Sequence, residues 1–327
     1  MDNPVFILGA HKSGTSLLRS LLDGHSSLFV VPVEEHLFKH FGYSINYPYQ
    51  YQVQKRYTDE EIKENFFNWI KTCNNSSDEY GDSVAKGLLD VDQFREALFS
   101  NETGEKRQLA TCYFESIYFA LTGEKLVNKN VVTKSVENAE LALETKQLYP
   151  NAKFIHIVRN PYASFVALRK YKTKNGRYPM VYKLLKALQN NYYYLEKNQR
   201  LIDDYHVVSY EDLLLKPEQT MRNIADYIGI EYDNHLVTPT FLGELWQGNS
   251  TSDKKFNGID TAPIKNWENE IFPYEVFLIN NMFPHVLEEF NYERIDKKSK
   301  GYQLMKGENI LRYFFNRLYK YYLPISE

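Results

Sequence analysis

The stretch "VFILGAHKSGTSLLRSLLDG", residues 5–24, decides how the rest of the chain is read. An apolar run leads into Gly9, four residues intervene, and Gly14 and Thr15 follow. After Gly14 the leucines at 17, 18, 21 and 22 fall on one helical face, and Gly24 marks the stop. A strand that turns sharply into a helix leaves backbone N–H groups pointing outward, with the positive end of the helix dipole behind them. That arrangement is an anion site. Gly9 and Gly14 let the backbone come close to a ligand, Thr15 and Ser16 add hydroxyl donors, and Lys12 brings a cation to the same turn.

The pattern departs from that of nucleoside triphosphatases, in which Lys and then Ser or Thr follow the second glycine. Here Thr15 follows directly and the lysine lies earlier, at Lys12. The Asp that would share a magnesium ion at a neighbouring strand end is also missing: "SLFVVP" ends in Pro32 and "FIHIVR" in Arg159. Side-chain cations are therefore expected to do the charge work, and no metal is required. His36 and His40 are four apart, as in a metal pair, but have no third ligand nearby in sequence.

Outward from this turn, the periodicity alternates between strands and helices. "SLFVVP", "NVVTKS", "AKFIHIVRNP" and "YHVVSY" read as further strands. "TDEEIKENFFNWIKTC" opens with a Thr58–Glu61 capping box and buries Ile62, Phe66, Trp69, Ile70 and Cys73 on one face. Further helices are expected around 90–99, 106–122, 137–150, 181–203 and 217–228, with one starting inside "YASFVALRKYK". The segment 36–57 reads as aromatic and irregular. Strands separated by helices predict a three-layer α/β/α fold with a central, mainly parallel five-stranded sheet, similar to that of P-loop nucleoside triphosphate hydrolases. Ligands collect at the carboxyl ends of such strands, where Gly9–Thr15, Glu34, Lys134 and Arg159 would all fall.

The totals set bounds. At 327 residues with 43% apolar content, the chain suits one large α/β domain, placed at 1–295, followed by a basic, aromatic helical tail at 296–327 docked on it. A net charge of −3 gives no reason to expect nucleic acid as a partner. Two cysteines make neither a disulfide framework nor a zinc cluster. With no signal peptide read at the start and no run approaching the roughly 18 apolar residues of a membrane span, a cytoplasmic location is expected. The 27 tyrosines serve core and surface and also suit partly polar acceptors.

The blocks in order resemble one family. "HKSGTSLLRSLL", residues 11–22, is similar to the 5'-phosphosulfate loop of the sulfotransferases that use 3'-phosphoadenosine 5'-phosphosulfate (PAPS), closest in style to the bacterial and tyrosylprotein enzymes. "FIHIVRNPYASFVALRK", residues 154–170, resembles the 3'-phosphate site, a strand followed by Arg and then a Ser eight residues on; Arg159 matches, position 167 is Ala, and Ser164 lies one turn earlier. "VVTKSVENAE" resembles the segment whose lysine faces the transferred group, here Lys134, with Ser135 keeping a hydroxyl and Val136 standing where the family has Pro. "VVSYEDLLLKPEQTMRNIADYIGI", residues 207–230, resembles a later block in which Tyr210 would contact the nucleotide while Glu211 and Asp212 cap or orient the helix. The loop 248–267, ending in Trp267, matches the position of a PAPS-covering loop and offers Asn249, Ser250 and Lys265 as contacts.

The resemblance implies sulfuryl transfer from PAPS to an acceptor hydroxyl, with 3',5'-adenosine bisphosphate (PAP) as product. It assigns His11, Lys12, Ser13, Gly14, Thr15, Ser16, Arg159, Ser164 and Tyr210 to the nucleotide, and Lys12 and Lys134 to the developing charge. "VPVEEHLF" supplies the general base from Glu34, Glu35 or His36, in that order of preference. The acceptor is a polysaccharide, glycolipid, peptide tyrosine or small molecule, with carbohydrate favoured. Two rival readings stay open: a P-loop kinase using ATP and Mg²⁺, and a non-catalytic nucleotide- or glycan-binding relative.

Overall fold

The computed structural model describes residues 1, 3–46, 51–75, 87–101, 104–172, 181–248, 255 and 258–296. Asn249, Ser250 and nearly all of the 296–327 tail lie outside them. In chain order the elements are β1 (Val5–Leu8), α1 (Thr15–Leu22), β2 (Leu28–Val30), α2 (Leu37–His40), β3 (Tyr43–Asn46), β4 (Tyr51–Gln54), α3 (Asp59–Asn75), α4 (Val91–Ser100), α5 (Lys106–Thr122) and β5 (Asn130–Lys134). They continue with α6 (Ala142–Leu148), β6 (Lys153–Val158), α7 (Pro161–Lys172), α8 (Val181–Leu201), β7 (Tyr205–Ser209), α9 (Tyr210–Leu215) and α10 (Pro217–Ile228). A short pair, β8 (Thr240–Phe241) and β9 (Glu244–Leu245), precedes α11 (Pro273–Met282) and α12 (Pro284–Glu289).

Five strands form one sheet in the order β2-β5-β1-β6-β7. Every neighbouring pair in it is parallel, with Val5 opposite both Val132 and Lys153. The side chains of β1 alternate between two cores, as a strand period of two requires. Phe6 and Leu8 join Phe29, Val131 and Phe154 beneath α3, α4 and α5. Val5 and Ile7 join Val30, Val132 and Ile155 beneath α1, α9 and α10. The sheet is therefore covered on both faces, which its continuous apolar strands demand. A third cluster packs α7 and α8 against α11 and α12 and takes in Trp267, whose ring stacks on Tyr162 at 5.4 Å.

The helix signals act locally. The Thr58–Glu61 box forms, with the Glu61 carboxylate accepting from Thr58 N–H at 2.7 Å and Thr58 Oγ1 accepting from Glu61 N–H at 3.2 Å. Pro217 opens α10 and Gly229, at φ 78°, closes it. The expected helix at 137–150 is not continuous: a 3₁₀ turn at Val136–Ala139 comes first and α6 starts only at Ala142. The 36–57 stretch needs correction. It holds α2 and an antiparallel hairpin, β3 against β4, with Tyr43 opposite Gln54. Its tyrosines alternate with polar residues, a strand signal that counting them as aromatics hides.

Candidate active site

A fully parallel sheet puts all its carboxyl ends on one edge. β1 runs into Gly9, β2 into the Pro32–Glu34 turn, β5 ends at Lys134, β6 runs into Arg159, and β7 into Tyr210.

The turn after β1 is held tight from within. Ser13 donates to the Ala10 carbonyl through both its N–H, at 3.1 Å, and its hydroxyl, at 2.7 Å. The Ser13 hydroxyl thus braces the turn. Lys12 sits at φ 64°, and its ammonium lies 4.7 Å from the Tyr171 ring centre. His11 stacks on the same ring at 6.3 Å. Gly14, at φ 110°, leaves no room for a side chain: a Cβ there would come within 2.3 Å of Tyr210 Cδ2. Thr15 is buried and Ser16 half-buried at the start of α1.

Arg159 is drawn into this turn. Its Nη1 donates to the Lys12 carbonyl at 2.8 Å, Nη2 reaches the Pro263 carbonyl at 3.4 Å, and the guanidinium lies 4.5 Å from the Tyr210 ring centre. Its Nε is buried with no hydrogen-bond partner among the described residues. Asn160 N–H donates to Glu211 at 3.1 Å, and Glu211 also accepts from Ser209 Oγ at 3.3 Å and Tyr292 O–H at 2.9 Å. Glu211 therefore braces the Arg159 turn, while Ser209 caps α9. Ser164 is 2% exposed, its hydroxyl 3.5 Å from the Arg159 carbonyl, which also accepts from Tyr192 at 3.2 Å. Ala167 is half-buried. Lys265 is exposed, two residues past Pro263.

The second cluster joins the β2 turn to β5. Lys134 Nζ donates to Glu34 Oε1, with 5% of the lysine side chain and 18% of the glutamate side chain exposed. His36 Nε2 lies 3.6 Å from Glu34 Oε2, and its ring meets Trp69 edge-on at 4.7 Å. Trp69 Nε1 donates to the Glu34 carbonyl at 2.7 Å. His40 packs on Phe66 and Trp69. Glu35 turns the other way, into the interior. It is 0% exposed, and burial pushes its carboxyl above the usual carboxylate range. Of the three base candidates, Glu34 alone combines partial exposure with a lysine partner.

The sequence reading named most of these residues but not their pairings. The Glu34–Lys134 contact, the Arg159–Lys12 carbonyl bond and the Tyr171 ring under Lys12 join positions far apart in the chain. Only the order of parallel strands brings them together.

Residues 4–234 match the sulfotransferase family, and the chain belongs to it. Over 113 residues the chain is 28% identical to the omega-hydroxy-beta-dihydromenaquinone-9 sulfotransferase Stf3 of Mycobacterium bovis. That match covers 31% of this chain and 29% of the relative's length. The fold is similar to that of the sulfotransferase domain from the Synechococcus PCC 7002 olefin synthase, with a TM-score of 0.58 and 19% identity over 89% of this chain and 95% of that one. It is also similar to the sulfotransferase domain from the curacin biosynthetic pathway, with a TM-score of 0.56 and 22% identity over 90% and 99% of the two chains. Among the described residues, no helix is long and apolar enough to cross a membrane.

Proposed function

We propose that the chain transfers the sulfuryl group of PAPS to an acceptor hydroxyl, without a divalent metal. One observation carries the reading: the glycine turn and Arg159 meet through the Lys12 carbonyl, while Glu34 and Lys134 meet at the neighbouring strand ends. The residues fit such a nucleotide. The buried Arg159 Nε has no partner among the described residues, and at Gly14 the backbone is bare where a Cβ would strike Tyr210.

When bound, PAPS supplies the group to be moved and a phosphate that can leave. The outward N–H groups of the 9–15 turn, with Thr15 and Ser16, hold the 5' end. Arg159 holds the 3' phosphate, against which a guanidinium makes paired hydrogen bonds. Lys12 and Lys134 offset the charge that gathers as the phosphate leaves. Glu34 accepts the proton of the attacking hydroxyl, and its contact with Lys134 keeps it oriented towards the transfer site.

The acceptor is a hydroxyl compound, with carbohydrate favoured because aromatic side chains, Trp69 near Glu34 and Tyr171 near Lys12 among them, gather around the two clusters, and such surroundings suit a sugar. The hydroxylated lipid quinone in the relative's name belongs in the same test panel.

Thermal-shift measurements with PAP, ATP plus Mg²⁺, and simple sugars test the nucleotide assignment. PAP at a hundred times its Kd is expected to stabilise the protein by about 2.7 kcal/mol, with ATP and sugars well below that. Stabilisation by ATP and Mg²⁺ with none by PAP would favour a kinase, and sugars alone a binding protein. Transfer of radiolabelled sulfate from PAPS across polysaccharides, glycolipids, tyrosine peptides and lipid alcohols then identifies the acceptor.

A further inference from the structure

Glu35 carries none of the proton chemistry given above to Glu34, yet it is held more closely than any simple core residue requires. Its Oε2 accepts from Thr133 Oγ1 at 2.5 Å and from Ser135 Oγ at 2.9 Å, the residues on either side of Lys134. The Ser135 hydroxyl accepts from His36 N–H at 3.0 Å, so its own proton is committed to Glu35. Tyr113 O–H donates to the Glu35 carbonyl at 3.3 Å. The turn these bonds hold does not form cheaply: His36 sits at φ 44°, in the left-handed region that costs a non-glycine residue free energy unless its surroundings impose it.

We propose that Glu35 is a positioning residue: it fastens the Glu34 turn to the two hydroxyls that bracket Lys134, and so fixes the register in which Glu34 and Lys134 meet. The inference rests on the reading of Glu34 and Lys134 as base and cation, but its geometry stands apart from that reading. One carboxyl group spans both neighbours of Lys134 in the chain, and its own chain neighbour is Lys134's ion-pair partner. Removing it takes away the two buried bonds that fasten the 34–36 turn to Thr133 and Ser135, and leaves the Glu34–Lys134 contact and the bond from His36 N–H to Ser135 to hold their own register. Burial favours the neutral acid, which Gln mimics in shape and in its accepting oxygen.

The test compares wild type with Glu35→Gln and Glu35→Leu. The first readout needs no substrate: competitive labelling of lysines by acetic anhydride, with the Lys134 rate read by mass spectrometry. Lys134 is expected to label about tenfold faster in Glu35→Leu than in wild type, the scale set by losing two buried hydrogen bonds, and at the wild-type rate in Glu35→Gln. The second readout is transfer kinetics. Glu35→Leu is expected to lose roughly tenfold or more in kcat with the Kd for PAP within about threefold, and Glu35→Gln to restore kcat.

Equal Lys134 labelling in all three proteins overturns the proposal, as does a Glu35→Gln protein as inactive as Glu34→Gln, which would make Glu35 itself the proton acceptor. If Glu35→Leu does not fold, Ser135→Ala takes its place and must accelerate Lys134 labelling by a smaller factor; an unchanged rate overturns the idea. A wild-type protein that binds no PAP fails the functional reading alone, because the labelling result still decides the role of Glu35.

Discussion

At position 14 a single methyl group decides whether the 9–15 turn keeps its shape. Gly14→Ala would place a Cβ 2.3 Å from the Tyr210 ring at φ 110°, so the turn, the ring or both must move. Backbone strain of this kind costs about 1–3 kcal/mol. Calorimetry is expected to show PAP binding weakened roughly tenfold or more, the equivalent of that strain taken out of binding. Affinity unchanged from wild type would mean that the nucleotide does not lie on this turn. Glu34→Gln separates binding from chemistry. It keeps the side chain's shape and its acceptor for Lys134, and removes the site that takes a proton. PAP affinity should stay the same while turnover falls by about 10²–10⁴-fold, and turnover within about threefold of wild type would rule Glu34 out as the base. These residues were legible because their types are written in the motifs. Their partners were not. Nothing in "VPVEEHLF" says which of two adjacent glutamates faces out, since that depends on where Thr133, Lys134 and Ser135 lie, about a hundred positions later.

Elements with local signals were read closely. Thr58 and Glu61 mark the start of α3, and Pro217 and Gly229 bracket α10, because caps and φ limits act within a few residues. The β3–β4 hairpin was missed because its strands are only four residues each and half of their apolar positions are tyrosines. Also hidden was the clamp on the far end of α7. Arg169 donates through Nη1 to both oxygens of Glu275 at 2.7 Å and through Nη2 to the Glu270 carbonyl, tying α7 to α11. Glu275 is fully buried and also accepts from Phe272 N–H at 2.9 Å. Breaking one side of such a pair leaves a buried charge uncompensated. Glu275→Gln is therefore expected to cost about 3–5 kcal/mol in chemical denaturation, and the double change Arg169→Met with Glu275→Leu distinctly less. Equal losses would show that packing, and not charge, holds the two helices.

At the scale of the whole molecule, His156 and Glu35, both fully buried, each give stability a dependence on pH. His156 is completely buried between Tyr205, at 2.6 Å, and Asn191, at 3.1 Å, and burial lowers its pKa to about 4. The unfolded chain takes up a proton there near 6.5 while the folded one does not, so stability falls as pH drops from about 6.5 to about 4, by roughly 3 kcal/mol in all. Glu35 acts in the opposite sense. Its pKa is raised on folding, so its contribution is complete at low pH and is lost as pH rises past the ordinary glutamate value. Denaturation midpoints for wild type and His156→Gln between pH 4 and 7 separate the two. The variant should lose the acid-side slope, and a slope unchanged from wild type would place the acid sensitivity elsewhere.

The bond from Arg159 to the Lys12 carbonyl makes the 9–15 turn and the end of β6 neighbours with a shared atom, not independent stations. On the proposed reading, a nucleotide charged at both ends settles against a gauge of fixed length. One charged at a single end tugs on that common carbonyl and gains nothing at the other side. Selectivity then comes from the span between the charges more than from their number. Adding the affinities of two singly phosphorylated adenosines should underestimate that of the doubly phosphorylated one.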